Sequence, residues 1–111
     1  MTSAGPYDPL AGAGIKDNPD KSRFELVIDG VLAVVEYRRM GKTLIAYTHT
    51  EVADELAGRG IGARLAEAAL EYARTNGLEV LPFCPFVSAY IRRHTEYIDL
   101  VSSRYKGFDK K

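Results

Sequence analysis

A chain of 111 residues is one domain's worth of sequence. Its 46% hydrophobic and 27% charged shares are those of an ordinary globular protein. Fifteen basic residues balance fifteen acidic ones, so there is no basic excess to cover a phosphate backbone or to drive binding to a membrane surface. The single Cys84 excludes an internal disulfide framework, and with two histidines no Cys- or His-rich metal cluster can be built. No apolar run, such as Val31 to Val35, approaches a membrane span, and Met1 to Leu10 lacks the layout of a signal peptide. A reducing, cytoplasmic setting is the expectation.

Residues 1–21 are rich in Gly, Pro, Ala and Asp and show no apolar period, so they read as a flexible lead-in. Residues 106–111 read as a flexible tail, which leaves 22–105 as the folded domain. Within it, Phe24, Leu26 and Ile28 alternate with Glu25 and Val27, the pattern of a half-buried strand. Asp29-Gly30 suits a tight hairpin turn, and Val31 to Arg38 makes a second strand. Met40-Gly41-Lys42 turns the chain again into a third strand, Thr43 to Val52. If that strand alternates regularly, His49 and Glu51 share one of its faces.

The period then changes. Ile61, Leu65, Ala68, Ala69 and Tyr72 mark one face of a helix, with Arg64, Glu67, Glu71 and Arg74 opposite. Asn76-Gly77 ends it, and Leu78 to Cys84 reads as a short strand whose ladder is limited by Pro82 and Pro85. Phe86 to His94 forms a second helix, and Tyr97 to Ser102 a last extended piece. The order β-β-β-α-β-α predicts an α/β (α+β) fold: a mixed sheet whose antiparallel meander leads into a β-α-β crossover with parallel strands.

Three glycines, Gly58, Gly60 and Gly62, alternate just before the first helix. Missing β-carbons allow backbone N–H groups of Ile61 and its neighbours to approach a ligand, at the positive end of the helix dipole. That combination makes an anion site suited to phosphate or pyrophosphate, to which Arg59 and Arg64 would add full charges. The alternative is a plain flexible loop that eases helix packing. No Walker A lysine closes the loop, and no acidic residue ends the next strand as a dinucleotide fingerprint requires.

This stretch resembles motif A of the GNAT superfamily of acetyl-CoA-dependent N-acetyltransferases, Gln/Arg-x-x-Gly-x-Gly/Ala, with Gly60 and Gly62 on the two small positions. Ala57 stands where Gln or Arg is usual. The chain is most similar to the very small single-domain GNAT-like group related to YjdJ-type proteins, through His49-Thr50-Glu51-Val52, Gly58-Arg59-Gly60-Ile61-Gly62, Pro82-Phe83-Cys84-Pro85-Phe86-Val87 and Tyr90-Ile91-Arg92-Arg93-His94-Thr95-Glu96-Tyr97. The similarity runs from about Phe24 to Val101.

The resemblance implies that a pantetheine arm lies between two splayed parallel strands, here Tyr47 to Val52 and Val80 to Cys84. It implies a pyrophosphate on the N–H groups around Arg59 to Ala63, and a thioester near Glu51, Cys84 and Tyr90. For transfer to an amine, Glu51 or His49 would take the proton of the incoming ammonium. A backbone N–H near Val52 would polarise the carbonyl. Tyr90 would return a proton to the departing thiolate, and a solvated strand face or a core tyrosine is the competing account of these side chains. Cys84 is either a small core residue or a site residue at a strand's C-terminal end, where the resemblance puts a candidate catalytic cysteine. His94 caps or packs the second helix.

The implied substrates are acetyl-CoA and an amine, without nucleic acid or membrane, for a monomer or weak homodimer. A non-catalytic acyl-CoA-binding or protein-interaction module is the alternative.

Overall fold

A computed structural model describes residues 8–105. Its sheet has five strands in the spatial order β1 (Lys16–Asn18), β2 (Arg23–Ile28), β3 (Val31–Met40), β4 (Leu44–Val52) and β5 (Glu79–Pro82). The first four run antiparallel to their neighbours, and β5 is parallel to β4. Between β4 and β5 lies α2 (Ile61–Thr75), and α3 (Pro85–Arg93) follows β5. The predicted meander, crossover and two helices are therefore present in the predicted order.

The local reasons match the sequence. Asp29 and Gly30 both take left-handed backbone angles, φ 53° and 77°, which a two-residue hairpin between right-twisted strands requires. Phe24 and Leu26 turn into the core beside Ala33 and Val35 of β3. Ile61, Leu65, Ala68 and Ala69 cover that sheet face from α2, and the fully buried Tyr47 of β4 ties helix to sheet by donating its hydroxyl to the Ala69 carbonyl at 2.6 Å.

Two regions differ from expectation. Residues 8–21, read as flexible, carry a short helix α1 (Pro9–Gly12) and strand β1. Asp8 caps α1 by accepting from the Leu10 and Ala11 N–H groups, and Pro9 stands in its first turn. Leu10 and Ile15 join the main core. A four-residue helix and a three-residue strand are too short to show a period, so composition alone misled. Residues 1–7 and the predicted tail at 106–111 lie outside the described residues. The second difference is at Tyr97 to Ser102, where Thr95–Leu100 form a 3-10 helix rather than a strand. The Tyr97 hydroxyl donates to Glu71 at 2.6 Å and Arg74 donates to the Glu96 carbonyl at 2.8 Å, so contacts with α2 coil this segment. Only Val101 and Ser102 run along β5.

Burial raises the phenols of Tyr37, Tyr47, Tyr90 and Tyr97 above the usual tyrosine range. A raised native pKa means the unfolded chain releases these protons first as pH rises, so the stability they carry is complete below about pH 10 and is lost above it. Chemical denaturation should therefore give a stability that falls steeply above about pH 10. A flat profile to pH 12 would contradict this burial.

Candidate functional site

The site begins with an irregularity in β4. Residues 36 and 37 of β3 pair with His49 and Tyr47, so Thr48 is the extra residue of a β-bulge. The bulge reverses the alternation of β4. Before it, Tyr47 faces α2; after it, Thr50 and Val52 face the helices, across from Val35 and Ala33 of the core. His49 and Glu51 consequently point to the opposite side, exposed and 3.6 Å apart between Nε2 and Oε1. A regularly alternating strand would have buried both beside Tyr47. They do share a face, as expected, but only the bulge makes it the outer one.

The same place marks the end of the parallel ladder. β4 and β5 pair from Leu44 and Glu79 to Tyr47 and Pro82. Pro82 has no N–H to give, and Phe83 bonds back to the Leu81 carbonyl. The last link is the Cys84 N–H, 2.8 Å from the Tyr47 carbonyl, after which Pro85 starts α3 and leads the chain away. β4 continues to Val52 against β3 alone. The two strands thus separate into a V, and Thr48 to Val52 present an edge with no strand partner among the described residues.

Cys84 and Thr50 sit at the base of this V. The thiol is 2% exposed and shares a hydrogen bond with the Thr50 hydroxyl at 3.2 Å. Thr50, which sequence reasoning passed over, is placed there only by the bulge.

Above the V stands the start of α2. Gly60 holds its N-cap position at φ 71°, with no side chain capping the helix, and Gly58 is also left-handed at φ 78°. The Arg64 N–H is the first to bond back into the helix, to Gly60. The N–H groups of Ile61, Gly62 and Ala63 are therefore the unbonded donors that every helix start leaves. Gly62 also has a packing reason to be small: a β-carbon there would lie 2.6 Å from Cζ of Phe86, so its small size admits the α3 ring. Gly60 and Gly58 have open space around them.

The predicted cations divide. Arg59 lies at the helix start, in an exposed ion pair with Asp29 at 3.2 Å. Such a pair is worth about 0–1 kcal/mol, so Arg59 can leave it for a ligand. Arg64 instead donates to the Ala13 carbonyl at 3.0 Å and faces α1.

Between the first turn of α2 and α3 is a cleft of about 160 Å³ lined by Ala63, Phe86, Ala89, Tyr90, Arg93 and His94. Tyr90 and His94 stack, with ring centroids 3.9 Å apart and planes 13° from parallel. His94 Nδ1 lies 3.0 Å from the Tyr90 carbonyl, which can only accept, so the ring proton sits on Nδ1. Burial, reinforced by Glu67, Glu96 and Glu71, holds the Tyr90 phenol above its usual pKa. Tyr90 therefore keeps its proton at neutral pH. Arg93 also lines this cleft, on the helix face that carries Phe86, Ala89 and Tyr90. The expected packing of His94 at the end of α3 is what the structure contains.

Comparison with known proteins identifies the family. A model of GCN5-related N-acetyltransferases matches residues 23–100, and the chain belongs to that family. Human Protein NATD1 is 36% identical over 87 residues, covering 75% of this chain and 77% of the relative. Protein NATD1 of Bos taurus is 31% identical over 96 residues, covering 83% and 85% respectively. The solution structure of a GCN5-like protein from Staphylococcus aureus superposes with a TM-score of 0.64 at 29% identity, over 87% of this chain and 95% of that one. Among the described residues, no helix is long and apolar enough to cross a membrane.

The glycine at the helix start provides a direct check. At φ 71° a branched side chain is strained, by about 1–3 kcal/mol. Gly60→Val should therefore displace the first-turn N–H groups and abolish the rise in melting temperature expected of the unaltered chain with acetyl-CoA, the cofactor typical of this family. Equal rises in both proteins would remove the helix start from the binding site.

Proposed function

We propose that this chain is an acetyl-CoA-dependent N-acetyltransferase that passes the acetyl group directly to an amine. The observation that carries the reading is the V between β4 and β5, open beside the unbonded N–H groups of α2. The unpaired edge of β4 offers backbone donors and acceptors to the amides of a pantetheine arm, as an added strand would. The N–H groups of Ile61 to Ala63, with Arg59, receive the pyrophosphate.

Because the sheet is open at the V, the thioester carbon is accessible from both faces. Tyr90 and Cys84 belong to the helix side, and His49 and Glu51 to the outer side. Glu51, with His49 beside it, removes one proton from the ammonium so that nitrogen can attack the carbonyl carbon. The N–H near Val52 stabilises the oxyanion as it forms. When the C–S bond breaks, Tyr90 supplies the proton to the departing sulfur; the nitrogen's remaining extra proton returns through solvent to the Tyr90 phenolate, and the proton held by Glu51 leaves to bulk water. Cys84 lines the base of the V and forms no acyl intermediate, in keeping with its burial and its hydrogen bond to Thr50. A reducing, cytoplasmic setting suits this lone buried thiol.

Free CoA release from acetyl-CoA, followed across a panel of amines, tests this function. Turnover with at least one amine is expected. Saturable binding of acetyl-CoA without turnover would favour a binding module, a reading that Ala57 at the first motif position keeps in view. Intact-mass analysis after incubation without acceptor should find no acetyl group on Cys84, and Cys84→Ala should lower turnover only modestly. A kinetically competent acetyl-Cys84 would overturn direct transfer.

A further inference from the structure

We propose that the acceptor is a small amine that also carries an anionic group, a carboxylate or a phosphate, held in a groove beside His49 and Glu51. This rests on the acetyltransfer reading above. The groove has a volume of about 490 Å³, and its lining includes Lys21, Ser22, Glu36, Arg38, Arg39 and Thr48. That size suits a small molecule.

The charge of the groove is uneven in a chain that is neutral as a whole. Three cations, Lys21, Arg38 and Arg39, line it together with one carboxylate, Glu36. None of the three cationic side chains makes a salt bridge or a hydrogen bond among the described residues, whereas Arg23, Arg59, Arg64 and Arg74 all do. Three cations around a recess outnumber its one carboxylate, and that excess favours an anion there.

The walls are fixed before any ligand arrives. The Ser22 carbonyl accepts from the Tyr37 N–H at 2.9 Å, and the Lys21 N–H donates to the Asn18 side chain at 3.3 Å. Ser22 holds a left-handed backbone at φ 52°. On the opposite wall, the Thr48 hydroxyl donates to the Glu36 carbonyl at 3.4 Å, so the bulge residue itself borders the groove.

Glu36 connects this groove to the site. It lines the groove and is the register partner of His49, two residues from Glu51. Neighbouring strands lie ~4.8 Å apart and a strand rises ~3.3 Å per residue, so the anion and the amine of one acceptor would be separated by roughly 5–10 Å. Glu36 and Glu51 attract the ammonium end, while Lys21, Arg38 and Arg39 attract the anionic end. A polyamine would instead place its second cation against three like charges.

The test compares acceptors that differ only in charge, using the full chain and acetyl-CoA. γ-Aminobutyrate is set against its amide, and O-phosphoethanolamine against ethanolamine, so that the two arms also separate carboxylate from phosphate. At least one anionic member should have a KM about tenfold or more below that of its neutral partner. This ratio should fall towards one in Arg38→Ala/Arg39→Ala and be restored in Arg38→Lys/Arg39→Lys. An acetyl-CoA-induced rise in melting temperature confirms that each variant is folded. Equal KM values, a preference for neutral or cationic amines, or a ratio unaltered in the alanine variant would each overturn the proposal. Amide NMR shifts on adding the anionic probes separate the two readings. Saturable shifts at residues 21, 38 and 39 without turnover would sink acetyltransfer while keeping the groove, and turnover without an anion preference would do the reverse.

Discussion

Replacing Glu51 by glutamine should lower kcat/KM for acetyl transfer by about a hundredfold or more, the usual contribution of a positioned proton acceptor. The effect should appear chiefly in kcat, because the amide keeps the size of the side chain and the contacts proposed between this stretch of β4 and the cofactor are made by its backbone. Glu51 is an outer-facing carboxylate on the stretch of β4 beyond the parallel ladder, and His49 lies 3.6 Å from it. If His49 acts by holding that carboxylate, His49→Ala should cost less than Glu51→Gln, and the double variant little more than Glu51→Gln alone. Activity within about twofold of the unaltered chain in Glu51→Gln would move the proton acceptor to another group.

The largest effect on stability should come from Phe24→Ala. Phe24 is 1% exposed and lies at the centre of an aromatic cluster, with ring centroids 4.8 Å from Tyr37, 5.0 Å from Tyr72 and 6.2 Å from Tyr47. These rings come from β2, β3, β4 and α2, so no single neighbour can move to fill the space. Removing a ring from such a position costs about 3–5 kcal/mol. For a domain of this size that should lower the melting temperature by more than about 12 °C. A loss under about 4 °C would show that the core collapses into the cavity.

What could be read in the sequence was what local pattern encodes. Phe24, Leu26 and Ile28 advertise a strand by alternation, Asp29-Gly30 names its turn, and Ile61 to Tyr72 carry the 3.6-residue period of α2. The resemblance to motif A then supplied the family. The bulge at Thr48 left no such trace, because an extra residue in one strand is defined only against its partner. Yet the bulge decides which side chains face the helices, bringing Thr50 to Cys84 and turning His49 and Glu51 outward. Gly62 illustrates a second limit. Its place in a glycine-rich turn suggested backbone contact with a ligand; that its missing β-carbon also makes room for the Phe86 ring was not legible, because Phe86 is distant in sequence. Asp8 and Pro9 did carry a helix-start signal, an N-cap followed by proline, within a stretch whose composition pointed to flexibility. Lys21, Arg38 and Arg39 are separate exposed charges in the sequence, and become one groove only when β3 is laid beside the turn before β2.

Everything proposed for this chain rests on acetyl-CoA occupying the V between β4 and β5 with its pyrophosphate at the start of α2. Amide NMR spectra of the isotopically labelled chain, recorded through a titration with acetyl-CoA, test it most directly. Saturable shifts concentrated at the amides of residues 48–52 and 59–63 are expected, with a common dissociation constant for the two groups. Saturable shifts confined to other parts of the surface, or none at either group with millimolar acetyl-CoA, would contradict it.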